Sequence, residues 1–288
     1  MAGEHYKQNE VAHKGIGILE KTQRQSELFG YPYNPYSGLC GYCGLSYALL
    51  GNFHEGESLC ERGLRLAVEI NHLSTLAFVE NCFSYVFAWK GDGRNTIKHS
   101  ENAIEYCEKG QVIIFLGMSW AALGLGYFLL GESEIGLKYV KKGLDIHLST
   151  GNPYYVSLIY VISSLIHFDL GDFKNAQTCA QKALELSHQI NEKGIEGGAW
   201  NWLGRGKGKA GSSQFDEAKE CILKGIKIFE ELKMIPFSSQ GYVFLGELYA
   251  DTGQKDLALE NLKKAEAMFQ DLGTDYWLGK TEEVLERL

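Results

Sequence analysis

Glycines at positions 51, 91, 131, 171, 211 and 253 are separated by 40, 40, 40, 40 and 42 residues. A period of this size narrows the fold more than any composition does. A unit of about 40 residues repeated along one chain is a supersecondary element stacked on copies of itself. The residues around the glycines repeat as well. Eleven before each glycine stand Cys40, Glu80, Trp120, Tyr160, Trp200 and Tyr242. Seven before stand Gly44, Ser84, Gly124, Ser164, Gly204 and Gly246, all small. Four before stand Tyr47, Phe87, Tyr127, His167, Lys207 and Tyr249. Small residues recur beyond the turn, at Gly56, Thr96, Gly136, Ala176, Ala218 and Ala258, then at Gly63, Ala103, Gly143, Ala183, Gly225 and Ala265. Steps of three, four and seven are the period of a helix. Each unit is therefore two helices joined at the glycine, with small residues where they touch.

Counting from the glycines predicts hairpins at 38–50 with 53–70, 74–90 with 93–109, and 112–130 with 133–149. Three more follow at 154–170 with 173–191, 196–210 with 215–233, and 238–252 with 255–271. The last interval is longer because Ser212 and Ser213 are inserted before Phe215. A lone helix is expected at 8–29 and another at 275–287, so that 1–288 reads as one solenoid with six repeats over 38–271. Strong turn chemistry is confined to Tyr31–Ser37, which holds two of the four prolines. A solenoid needs polar caps, and Lys280, Glu282, Glu283, Glu286 and Arg287 supply one. The helix at 8–29 is in phase with a second helix whose first is missing. The beginning reads as cut, and the chain as a piece of a longer protein.

These columns resemble the tetratricopeptide repeat (TPR). The family pattern is clearest in Trp120-Leu123-Gly124-Tyr127-Gly131 and in Tyr242-Leu245-Gly246-Tyr249-Gly253-Ala258-Ala265. The common TPR unit has about 34 residues. The longer unit here resembles the C-terminal repeat regions of bacterial multidomain signalling ATPases and adenylate/guanylate cyclases. The stretch from Leu148–Tyr155 to Gln181–Leu186 is the most similar to the cyclase regions. The resemblance implies an all-α, right-handed TPR-like superhelix of six helix hairpins plus an extra helix at each end. It also implies that the first helices line a concave groove where partners bind. The groove columns lie ten, six, three and two residues before each glycine. They nominate Asn81, Tyr85, Trp89, Leu125, Phe128, Phe168, Asn201, Arg205 and Lys209 for contact with a partner. The middle of this set is apolar and aromatic. Its far end carries two cations, followed by Glu247 and Asp251. The same residues also suit a tightly wound stack that buries them against neighbouring repeats.

The net charge of −8 argues against nucleic acid, which calls for a basic stripe. Val112–Leu130 is free of formal charge and reaches the length of a membrane span. Its glycines and its phase with the repeat mark it as a buried solenoid helix, so no membrane is expected. The opening residues are polar and unlike a signal segment. The seven cysteines, mostly inside helical patterns, suit a reducing, cytoplasmic setting.

Motifs with chemical meaning are few. Cys40-Gly-Tyr-Cys43 is a C-x-x-C, but both cysteines occupy packing columns, so neither a disulfide nor a metal is expected. Cys60 should lie near Cys43 across the hairpin. Gly206-Lys-Gly-Lys-Ala-Gly211 matches G-x-G-x-x-G without the strand that the dinucleotide fingerprint requires, so no cofactor is expected. The eight histidines form no metal-binding spacing, and His167 sits in an aromatic core column. No nucleophile–base or paired-carboxylate arrangement can be assembled.

The function expected is non-catalytic: an interaction or regulatory module, a sensor or scaffold within a larger cytoplasmic signalling protein. The partner is a protein or peptide with an apolar face and a carboxylate, and apolar helix faces also allow self-association. The alternative is a stand-alone peptide-pheromone receptor of the quorum-sensing kind.

Overall fold

The computed structural model describes residues 5–151 and 155–288. All regular structure among them is helical. The first seven helices are α1 (His5–Lys21), α2 (Pro35–Leu49), α3 (Phe53–Glu69), α4 (Leu73–Lys90), α5 (Gly93–Gly110), α6 (Ile113–Leu129) and α7 (Ser133–Ser149). The remaining seven are α8 (Val156–Asp169), α9 (Phe173–Gln189), α10 (Lys193–Lys209), α11 (Phe215–Glu231), α12 (Ile235–Asp251), α13 (Lys255–Leu272) and α14 (Asp275–Leu285). A short 3₁₀ turn, Ser212–Gln214, absorbs the insertion before α11. The helices form two compact units, α1–α7 and α8–α14, divided between Pro153 and Tyr154. Each unit contains three hairpins and one flanking helix. Asn152, Pro153 and Tyr154, part of the cyclase-like stretch, lie outside the described residues.

The turn glycines do what their spacing requires. All six have positive φ, from +75° to +125°, a region open to glycine and strained for residues with a Cβ. A second turn column joins one hairpin to the next. Asn71, Gln111, Gly151, Asn191, Lys233 and Gly273 also have positive φ. Each lies 20 residues after its turn glycine, or 22 after Gly211.

The small columns set how closely the hairpin helices approach. A Cβ on Gly124 would lie 2.5 Å from the carbonyl oxygen of Gly136 and 2.5 Å from Val140 Cγ2. Ser164 holds the same column by donating its hydroxyl to the Ala176 carbonyl at 2.7 Å.

A further pairing joins the residue eleven before the glycine to the one eleven after it, or thirteen after Gly211. The Lys142 ammonium sits 3.4 Å from the centre of the Trp120 ring, Lys224 lies 4.8 Å from Trp200, and Lys264 lies 3.7 Å from Tyr242. Where Glu80 replaces the ring, Asn102 takes the lysine's place and donates to its carboxylate at 3.0 Å. His99 Nδ1 closes the pair, 2.5 Å from the other Glu80 oxygen and between Phe83 and Phe87. Where Cys40 stands, Arg62 turns to the ring of Tyr36 and to Glu20 instead.

Several helix boundaries differ from the sequence reading. The first helix spans His5–Lys21 rather than 8–29, because Gln23 has positive φ and the chain then turns. The following linker is tied down by Asn34, whose side chain donates to the carbonyls of Gln25 and Glu27 and caps α2 by accepting from Ser37 N–H. With Asn34 as cap and Pro35 at the first position, α2 starts before residue 38. The last helix ends at Leu285 rather than 287.

Candidate interaction surface

In each unit, first helices of successive hairpins touch one another as well as their own second helices. That seam decides where the nine nominated residues go. Asn81, Tyr85, Leu125, Phe128 and Asn201 are buried. Trp89, Phe168 and Arg205 are half-buried, and Lys209 is exposed. The columns ten and six before the glycine are consumed by packing. The exposed positions lie two before it, nearest the turn.

In the N-terminal unit the seam is neutral. Asn81 Nδ2 donates to Ser119 Oγ at 3.1 Å, and the Tyr85 hydroxyl donates to the Met118 carbonyl at 3.1 Å. The Tyr85 and Trp89 rings meet at 5.7 Å, which leaves the indole as the accessible end of an aromatic pair.

In the C-terminal unit the seam is charged. Arg205 forms a fork to the Glu247 carboxylate, Nε to Oε2 at 2.8 Å and Nη2 to Oε1 at 2.7 Å. Its guanidinium lies 4.1 Å from the centre of the Phe168 ring, 4.2 Å from Phe244 and 5.2 Å from Trp202. A planar cation stacked on rings and held by a bidentate carboxylate is the arrangement arginine favours. Lys209 pairs with Asp251 one helical turn along, through a single oxygen and without a ring beside it. Both nominated cations thus have a carboxylate partner within the chain. The first helix of the next hairpin, α12, supplies both anions, because residues 42 apart occupy equivalent columns. Asn201, packed against Gly225 and Gly241, has a buried Oδ1 with no hydrogen-bond partner.

Cys40 and Cys43 are core residues of α2. Burial pushes their thiols up to about 12 and about 11. Cys60 lies across the hairpin, its sulfur 2.6 Å from where a Gly44 Cβ would sit, and its field includes Cys82, Cys40 and Cys43. All seven cysteines are free thiols, and no cluster among the described residues is placed to hold a metal. Gly206-Lys-Gly-Lys209 forms the last turn of α10. His167 is half-buried, its Nδ1 3.2 Å from Asp172 Oδ2 but poorly aligned for a hydrogen bond. No described helix is long and apolar enough to cross a membrane.

Comparison with known proteins agrees with this architecture. The tetratricopeptide-repeat model matches residues 158–189 and 239–271, so the chain carries TPR repeats. No curated protein sequence matches the chain. Solved structures similar in fold include a Rap protein complexed with competence and sporulation factor. It has a TM-score of 0.65 and 15% identity, with 99% of this chain and 84% of that one covered. The apo form of RapI gives 0.65 and 11%, covering 93% and 99%. A signal-transduction ATPase with numerous domains and a tetratricopeptide-repeat sensor, from Pyrococcus horikoshii, gives 0.54 and 19%. There the chain is covered over 99% of its length but spans 43% of the relative. At such identities the likeness is one of fold. The fold is all-α and TPR-like, typical of non-enzymatic interaction modules.

Proposed function

We propose that the chain is a non-catalytic interaction or regulatory module that receives a segment of a partner protein on the row two residues before each turn glycine. One observation carries this reading: apart from the buried Leu129, that row is half-buried or exposed, while the columns ten and six before the glycine are spent on packing. In the N-terminal unit it presents Trp89, a large aromatic of the kind that anchors interfaces. In the C-terminal unit it presents Asp169, Lys209 and Asp251, all exposed. On the N-terminal unit a partner's apolar face meets Trp89; on the C-terminal unit, taken by itself, a partner's carboxylate meets Lys209 and displaces Asp251 from a pair that water already weakens. Arg205, stacked and forked, positions the surface rather than meeting the partner. A cytoplasmic signalling setting suits the module, since the fold is similar to a TPR sensor within a larger ATPase.

A second reading, a stand-alone peptide receptor, draws on coverage. The two Rap structures are matched over 84% and 99% of their own length, and one of them is complexed with competence and sporulation factor. Partners captured with the full chain and identified by mass spectrometry supply the ligand for titration. Trp89→Ala and Lys209→Ala should each weaken binding about tenfold, the equivalent of about 1.4 kcal/mol. Full affinity in both variants would end the proposal. Tight binding of a short free peptide, with no protein captured, would favour the second reading.

A further inference from the structure

The rule that a lysine caps the ring eleven before the glycine fails in one described hairpin. In α8/α9 the ring is Tyr160 and the lysine is Lys182, but the ammonium turns to Glu185, 3.5 Å away. A second departure lies on the neighbouring first helix. The column four before the glycine is otherwise aromatic or histidine, and its rings pack on neighbouring second helices: Tyr127 meets Tyr139 of its own hairpin at 5.4 Å, and Tyr249 meets Phe215 of the preceding hairpin at 6.1 Å. At this column α10 has Lys207, which leaves that volume unfilled and reaches outward to Glu217 at 2.7 Å. Gly206 beside it keeps the walls close, because Gln177 donates to its carbonyl at 3.0 Å.

The two departures meet. A cleft of about 590 Å³ opens where they occur, lined by Tyr160 of α8, Lys182 of α9, and Leu203 and Lys207 of α10. That volume is in the range of small-molecule sites. Two cations, Lys182 and Lys207, line it, with Glu185 as the carboxylate of the lining. Both lysines are now held by exposed carboxylates, at 51% and 67% side-chain exposure. Such pairs yield readily to a competing anion.

We propose that this cleft binds a small organic anion, its carboxylate or phosphate between Lys182 and Lys207 and its apolar body on Tyr160 and Leu203. The site is independent of the interaction row. Pyrophosphate and citrate serve as probes on the full chain, with sodium chloride at equal ionic strength as reference. Either probe should raise Tm by about 2 °C or more above the reference. Lys182→Gln should abolish the rise. Lys207→Tyr, which restores the repeat's ring and fills the cleft, should abolish it too. Should the tyrosine variant not fold, Lys182→Gln decides alone. A rise with one probe assigns the anion's chemistry. No rise with either, or an undiminished rise in Lys182→Gln, overturns the proposal.

Discussion

The same columns are closed by different chemistry in the two units. Between α4 and α6 the seam holds Asn81, Tyr85 and Ser119, neutral groups joined by hydrogen bonds and surrounded by apolar side chains. Between α10 and α12 it holds Arg205 with Glu247 and Lys209 with Asp251. Small residues and turn glycines fix how closely the helices approach, and the side chains need only fill the gap and satisfy one another. An apolar seam is indifferent to salt. A charged one weakens as ions screen it, most where it is most exposed. The N-terminal unit also holds five of the seven thiols, so it should answer to pH and the C-terminal unit to salt.

The largest expected effect follows from the thiols. Cys40, Cys43, Cys60, Cys82 and Cys107 lie in the N-terminal unit, and burial raises all five above the ordinary thiol value of 9.0, Cys40 and Cys107 to about 12. In the unfolded chain these groups ionise near 9.0, whereas in the folded unit they keep their protons. Their contribution is complete below 9.0 and is lost as pH rises through the folded values. The C-terminal unit holds two thiols, Cys179 and Cys221, whose values are also raised. Thermal melts followed by circular dichroism between about pH 8 and pH 11 should show the N-terminal transition falling further. A Cys60→Ala, Cys82→Ala double variant should flatten that fall, and an unchanged pH slope would refute the assignment.

Glu80 gives the next effect. Glu80→Ala leaves His99 and Asn102 facing a hole in a site where both pair members are almost fully buried. Breaking such a pair costs about 3–5 kcal/mol. Urea denaturation should find that loss, and a variant within about 1 kcal/mol of the parent would mean that the pair forms no real part of the hairpin.

Much of this was legible in the sequence, and the limits have a physical pattern. Turn glycines, small columns and hairpin order are local, repeated and set by backbone geometry, so a period of 40 exposes them. The second turn column was equally periodic, but its mixture of Asn, Gln, Lys and Gly hides a shared backbone conformation. The lysine column facing Trp120, Trp200 and Tyr242 was also present as text, yet a surface lysine has many places to go. Arg205 reads the same whether vacant or paired. Its state depends on Glu247 across a helix interface, and spacing along the chain does not say which columns face each other there. The cleft at Tyr160 was visible as a lysine in an aromatic column without its consequence, an unfilled volume.

Arg205 sharpens the contrast between the seams. With side chains 16% and 15% exposed, Arg205 and Glu247 lie between the surface and buried regimes. Arg205→Ala should cost about 2–3 kcal/mol, more than a surface pair and less than Glu80. The pair's coupling, read from a double-mutant cycle with Glu247→Ala, should fall only partly in high salt, because stacking on Phe168 and Phe244 shields it. A coupling near zero would make the C-terminal seam no different from an ordinary surface.

Lys209 provides the smallest stability effect and the sharpest test. It pairs with Asp251 on the same two helices as Arg205 and Glu247, but no ring covers it and Asp251 is 44% exposed. Exposed pairs contribute about 0–1 kcal/mol, and salt removes most of that. Lys209→Ala should therefore melt within a degree or two of the parent, while Arg205→Ala melts clearly lower. Binding should reverse the order of interest. If the accessible row receives the partner, Lys209→Ala weakens it about tenfold with the fold intact, and the loss shrinks in high salt. Arg205→Ala weakens it only as far as the displaced helices disturb the row. A Lys209 variant that loses stability but not affinity would make Lys209 a second strut, and the search for the contact row would move away from the turn ends of the first helices.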